Sequence, residues 1–271
     1  MSEQAASLSS AAIAAHRAAP ASASVAIEVV HETGSTNADL IARGAAGTLR
    51  APLLLVAEHQ TAGRGRAGRS WLSEAGNSLT FSLAWRFTGG AQRLLGLPLA
   101  VGVALAEALA HQGVQVQLKW PNDILKDGAK LAGILIETQN SPGASGATTV
   151  AVIGIGLNLI MPQQLEQKIG REVAAAPWLA RMDRNALLAA LLDALATALL
   201  EFDRHGFSHF AARWNRLHAW AGQSVRIVDN GATLQQGTAA GVDDHGRLLL
   251  DTAAGRVAVA AGDVSLRLDT F

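Results

Sequence analysis

The chain has 271 residues, 49% hydrophobic and 16% charged, and its 22 basic residues are balanced by 22 acidic ones. That length suits one large domain and a small one, and the composition excludes a disordered chain and any net basic field for nucleic acid or membrane. With no cysteine in the sequence, disulfides, thiol nucleophiles and cysteine-held metal clusters are excluded too.

Residues 1–24 are rich in alanine and serine and lack the charged start and long apolar run of a secretion signal. They read as a frayed tail or a short docking helix. A strand is expected at 25–30, then Ser35, Thr36 and Asn37 lead into a helical pattern at about 36–44. The three side chains suit a helix cap, or donors and acceptors for a polar ring. After a strand at 53–58 comes the segment 59–71, His-Gln-Thr-Ala-Gly-Arg-Gly-Arg-Ala-Gly-Arg-Ser-Trp, with three arginines, three glycines and no acid. Glycines let backbone approach a ligand and guanidinium groups bond phosphate or carboxylate in pairs, so this is the composition of an anion clamp. Its bland reading is a solvated turn, and Trp71 on its own is equally a core residue.

Gly63, Gly65 and Gly68 satisfy G-x-G-x-x-G after a strand. The dinucleotide reading is nevertheless rejected, because another strand follows in place of a helix and no acid lies between Glu74 and Glu107. No Walker loop occurs. The strand at 78–85 follows the loop without a helix between, which predicts a mixed or largely antiparallel sheet. At 94–111 an apolar helix carries Gly96, Pro98, Gly102 and Glu107, which suits a buried helix better than a membrane span.

Strands are expected at 116–120, 131–138 and 150–159. Three of the four lysines, Lys119, Lys126 and Lys130, fall in that region of a chain that otherwise writes its cations as arginine. Pro121 ends a ladder, leaving Asn122 and Asp123 at a strand end, and Asp127-Gly128 reads as a hairpin turn. This set is either a structural ion-pair group or a site. Gly154 and Gly156 in an apolar strand signal either a bulge or a ligand or another backbone passing close by. A helix from Asp183 or Asn185 to Gly206, a second at 207–217 and short strands after Gly222 complete the pattern. His205 and His209, with Gly206 between them, do not make a metal motif. The expected organisation is a tail at 1–24, a catalytic domain at 25–221 and a small barrel at 222–271; the fold class is α+β.

In order, the chain carries S-T-N, E-x-Q-x-x-G-R-G-R-x-G-R-x-W, K-W-P-N-D, K-L-A-G-I-L-I-E and G-I-G-L-N. Over about residues 28–271 it closely resembles bacterial biotin-protein ligases; the related lipoate ligases lack the arginine loop and fit less well. The resemblance implies a class II synthetase-like core and an SH3-like barrel. It implies activation of biotin by ATP, with Mg²⁺, to biotinyl-5′-AMP, and transfer to a lysine of the biotin carboxyl carrier protein of acetyl-CoA carboxylase. Carried over by position, Lys130, Arg66 and Asp123 are the catalytic candidates, Asp123 through Mg²⁺ or by receiving the acceptor lysine. Ser35, Thr36, Asn37 and Gln60 are expected around the ureido ring of biotin, with Arg64, Gly65, Arg66 and Lys130 at its carboxylate and Gly154 and Gly156 beneath it. Arg64, Arg66, Arg69, Trp71, Asn122, Asn158 and Trp178 are expected around ATP or the adenylate.

Two departures accompany the resemblance. The roughly 25 residues before the core are too few for the DNA-binding domain of the repressor members, so an enzyme without DNA or membrane partners is expected, in the cytoplasm. Ala239 and Ala240 stand where some members have an arginine, so a phosphate contact from that segment does not carry over. Whether the chain works alone or as a homodimer stays open. The competing reading is a module that only sequesters biotin or an adenylate; Lys130, Asp123 and three loop arginines favour the enzyme.

Overall fold

The run Leu-Leu-Leu-Val-Ala at 53–57 is apolar at every position, a pattern that requires cover on both faces of a sheet. The computed structural model describes residues 7–143, 146–170, 172–229 and 231–269. Helix α1 (Ser10–His16), capped by Ser9, is followed by strand β1 (Ala26–Thr33), helix α2 (Thr36–Ala45) and strand β2 (Leu53–Gln60). β1 runs parallel to β2, with α2 as the crossover between them. Then come β3 (Ser78–Thr88), α3 (Leu97–His111), β4 (Gln117–Lys119), β5 (Asp123–Lys126), β6 (Ala129–Gly143) and β7 (Gly146–Asn158). The seven strands form one sheet in the order β1-β2-β3-β7-β6-β5-β4, antiparallel at every pairing except β1 with β2.

After α4 (Gln163–Ile169), the helices α5 (Arg184–His205) and α6 (Ser208–Leu217) return to the sheet. Leu54 and Val56 face the large core that α3 and α5 fill, whereas Leu53 and Leu55 join Leu40 of α2, Ala84 and Val152 on the other face. α3 and α5 are long and apolar enough to cross a membrane, and the greater part of each is buried in this core. Residues 7–25 are folded against the body: Ile13 is fully buried, Leu8 donates its N–H to Glu58 (2.7 Å), and Ala18 and Ala19 donate to Asp193 of α5. Of the two expectations for this segment, the docking helix describes what is seen. α3 begins at Leu97, three residues later than the sequence suggests, after its N-cap Gly96, whose φ of +80° and contact with Phe207 leave no room for a Cβ. β5 and α4 were not anticipated.

The last 50 residues add β8 (Ser224–Asp229), β9 (Ala232–Val242), β10 (Leu248–Thr252), β11 (Gly255–Val259) and β12 (Ser265–Leu268) as an antiparallel sheet ordered β11-β10-β9-β8-β12. Its inward residues Val225, Ile227, Leu248, Leu250 and Leu266 belong to the main core cluster. Buried Trp120 donates its indole N–H to Gly246 O (3.1 Å), and Asn215 of α6 bonds both the N–H and the carbonyl of Val242. This small sheet is therefore welded to the larger unit.

Candidate active site

The arginine-glycine loop is an ordered hairpin. Trp71 N–H donates to Gly63 O (2.9 Å), Gly65 N–H to Arg69 O (2.6 Å), and the turn is made by Ala67 and Gly68 at φ 53° and 68°. Only Gly68 of the three glycines uses a positive φ. Gly63 is required by space, since a Cβ there would lie 2.4 Å from Trp71 O. The loop folds over the sheet so that Trp71 rests on Gly156 of β7 and Gly133 of β6, which are paired across the two strands. A Cβ on Gly156 would stand 2.2 Å from the Trp71 ring, and one on Gly154 would stand 2.3 Å from Asn37 Oδ1. Pairing of β7 with β3 and β6 is continuous through both glycines, so they mark close approach and not a bulge. What approaches is two side chains, Asn37 and Trp71.

Beneath the loop, a cavity is bounded by α2, β2, β3, β6, β7 and the loop. One end is neutral and polar. Ser35 caps α2, and Thr36, Asn37 and Gln60 are all buried there. Gln60 Oε1 accepts from Thr36 N–H (2.8 Å), and Asn37 Oδ1 accepts from Ser82 Oγ (2.6 Å). The other end is cationic, with Arg64, Arg66 and Lys130 in the lining. Trp71 lies between them, its indole N–H buried without a protein acceptor among the described residues.

The cationic end opens into a second cleft between loop, β5 and β12, lined by Arg66, Arg69, Lys119, Asp123, Lys130 and Arg267. The β4–β5 turn places Asp123 between two lysines: its Oδ1 accepts from Lys130 Nζ (2.5 Å), and Lys119 Nζ stands 3.6 Å from Oδ2. Five cations facing one carboxylate make a site for a polyanion. Burial lowers the Lys119 pKa, with Asp123 opposing the shift, and burial likewise lowers that of Arg66 against the pull of Asp123. Both lose less by meeting an anion than by standing alone. Arg66 donates to Asn122 Oδ1 (2.9 Å) and, across the domain junction, to the carbonyls of Gly262 and Val264. Arg69 reaches Ser265 Oγ (3.1 Å).

Most residues singled out from the sequence thus line one continuous cavity: Ser35, Thr36, Asn37, Gln60, Arg64, Gly65, Arg66, Trp71, Asn122, Lys130, Gly154 and Gly156, with Arg69 and Asp123 in the adjoining cleft. Asn158 lies outside the lining; its amide donates to Lys130 O (3.4 Å) and Ala174 O (3.2 Å), stapling the segment after α4 to β6. Trp178 is also placed elsewhere, two-fifths exposed, donating to Gln112 O at the end of α3 with Lys126 over its ring. Its bulk serves the α3 terminus, not the cavity. Ser82, Gly133, Glu137 and Arg267 were missed. Neither Ser82 nor Arg267 has a local signal: β3 also carries Ser78, Thr80 and Thr88, and only the domain packing brings Arg267 near.

The described residues hold no group of three metal-binding side chains, so a divalent ion has no ready-made cage. Asp123 alone in the cleft fits the single carboxylate that a nucleotide-borne Mg²⁺ takes from a protein.

A family model described as Biotin/lipoate A/B protein ligase family matches residues 33–158, and one described as Biotin protein ligase C terminal domain matches residues 221–267. Over 247 residues the chain is 37% identical to the biotin--[acetyl-CoA-carboxylase] ligase of Mycobacterium tuberculosis, covering 88% of each. It is 34% identical over 248 residues to the bifunctional ligase/repressor BirA of Escherichia coli, covering 89% of this chain and 74% of that one. The biotin protein ligase from Aquifex aeolicus in complex with biotin and ATP has a TM-score of 0.73 at 26% identity, covering 90% of this chain and 99% of that one. Similarity of this extent spans the sheet, the arginine loop and the small C-terminal sheet alike, and by it the chain belongs to the biotin protein ligase family.

Proposed function

We propose that this chain joins biotin to ATP, giving biotinyl-5′-AMP and pyrophosphate, and then passes the biotinyl group to a lysine of the biotin carboxyl carrier protein of acetyl-CoA carboxylase. The observation that carries this is the polarity of the cavity: buried neutral donors and acceptors at one end, Arg64, Arg66 and Lys130 at the other. That is the polarity of biotin, a ureido ring joined by a short chain to a carboxylate. The carboxylate oxygen attacks the α-phosphorus and pyrophosphate leaves. Arg64, Arg66 and Lys130 first offset the repulsion between the two anions and then stabilise the charge that builds on the phosphoryl oxygens.

Asp123 would hold a Mg²⁺ that arrives with ATP, and the ion would supply charge screening at the phosphates. Arg69, Lys119 and Arg267 flank the path of the leaving pyrophosphate. The loop with Trp71 then shields the mixed anhydride from water until an acceptor lysine arrives, whose amine attacks the acyl carbon and expels AMP. Residues 25–221 supply the chemistry and residues 222–271 one wall of the phosphate cleft. We assign the work to the cytoplasm, where the carrier protein is made.

The test is biotin-dependent exchange of labelled pyrophosphate into ATP by the purified chain with Mg²⁺, followed by labelling of a purified carrier domain. Exchange and a single modified lysine are expected; the absence of exchange refutes the reading.

A further inference from the structure

The neutral end of the cavity contains a hydrogen-bond chain that reaches beyond the residues facing it. Asn37 Nδ2 donates to Glu137 Oε2 (2.8 Å) and lies 3.4 Å from Leu135 O. A backbone carbonyl can only accept, so these two partners fix the amide with Oδ1 toward Ser82. Ser82 Oγ stands 2.6 Å from that Oδ1, and in this contact only the hydroxyl can donate. A serine has one hydroxyl hydrogen. In its second contact, 2.7 Å from Thr36 Oγ1, Ser82 must therefore accept and Thr36 must donate. The Thr36 hydrogen is thereby committed away from Gln60 Oε1, which lies farther off at 3.1 Å and is held by the Thr36 N–H at 2.8 Å. Both Thr36 and Gln60 line the cavity, and the contacts between them engage Gln60 only through Oε1. What remains for a ligand is an acceptor at Thr36 Oγ1 and a donor at Gln60 Nε2.

We propose that Ser82 and Glu137 are positioning residues that make this chain one-way, Thr36 to Ser82 to Asn37 to Glu137, and so select a ring that offers an N–H donor beside a carbonyl. The inference rests on the cavity being the biotin site. All the groups from Thr36 to Asn37 are buried, so water cannot substitute for a lost partner, and polarity is enforced instead of averaged. The packing of Asn37 against Gly154 adds to this, because the side chain has no room to swing away over β7.

The probes are biotin and its two cyclic carbamate analogues, in which one or the other ring N–H is replaced by oxygen. The readout is KM for each in pyrophosphate exchange, with KM for ATP as the control on the fold. Wild type is expected to prefer biotin over the worse carbamate by about 100-fold or more, as sites built around a buried donor do. In Ser82→Ala the Thr36 hydroxyl is free to turn and donate, so KM for biotin rises by about 10-fold while the preference narrows by about 10-fold or more. Glu137→Gln, which keeps an acceptor oxygen for Asn37, retains the preference; Glu137→Leu loses much of it. A merely structural role for Ser82 raises KM for all three compounds in proportion, and an unchanged ratio in Ser82→Ala overturns the proposal. Wild type that shows no exchange at all refutes the biotin reading itself, whereas normal exchange with an unchanged ratio refutes the relay alone.

Discussion

Replacing Gly156 by alanine puts one methyl carbon 2.2 Å from the Trp71 ring, where carbon atoms in contact settle at about 3.5–4.0 Å. The indole must rise by more than about 1 Å, and the strand beneath cannot yield, because Gly156 is hydrogen-bonded in register between Thr80 of β3 and Gly133 of β6. Overpacking of this kind costs about 1–3 kcal/mol. The sheet escapes that cost by letting Trp71 and its loop lift, so the unfolding free energy changes by less than about 1 kcal/mol. Catalysis does not escape it, since closing the loop over ligand reinstates the clash. KM for biotin and for ATP should rise by about 5- to 150-fold in pyrophosphate exchange. Gly34→Ala, which adds a methyl into open space, is the control. Wild-type KM values for Gly156→Ala at unchanged stability would show that Trp71 is not part of the closed lid.

Three further outcomes follow from the site and its surroundings. Lys130→Ala leaves Asp123 with Lys119 and so preserves the fold, but adenylate formation falls by about 100- to 1000-fold; a near-normal rate would remove Lys130 from the chemistry. Arg66→Gly cuts the loop free of Asn122, Gly262 and Val264, and released adenylate should label lysines of a bystander protein such as serum albumin; unchanged selectivity argues against the shielding role. His218 is buried against Trp214, and burial lowers its pKa from 6.5 to about 4. The unfolded chain then takes up the proton first as pH falls, so stability complete above pH 6.5 is lost progressively toward pH 4, by on the order of 3 kcal/mol. Urea unfolding across that range should show His218→Phe losing less stability than wild type, and parallel losses would clear His218 of the effect.

How much of this was legible beforehand depended on whether a signal was local. The strand pattern at 53–58 and the loop composition at 59–71 carry their meaning within a dozen residues, and both elements stand where the pattern puts them. Asp127 and Gly128 make the anticipated turn, at φ 51° and 82°. The glycines at 154 and 156 left a bulge and the close passage of a ligand or backbone equally open, and periodicity cannot say that the side chains of Asn37 and Trp71 are what approaches. Trp178 shows the opposite limit, since an aromatic in a segment without clear pattern has no address until Gln112 and Lys126 are seen around it. Leu8 and Ile13 were hidden by the alanine and serine that surround them, although each is a core residue. Ser82 and Arg267 depend on pairings between distant segments, and no spacing rule reaches that far.

Arg66 ties its loop to Asn122 of the β4–β5 turn at one end of its guanidinium and to the segment before β12 at the other. Its contacts to Gly262 and Val264 are to neutral carbonyl oxygens, which bind a cation less strongly than a carboxylate or phosphate does. A ligand anion that recruits Arg66 must therefore take it from those carbonyls, and thermodynamic reciprocity makes the exchange run both ways. Whatever tightens the strand Ser265–Leu268 against the core withholds a cation from the ligand, and whatever loosens that strand releases one. The small C-terminal sheet thus sets the affinity of the site next door, beyond the one cation, Arg267, that it contributes itself.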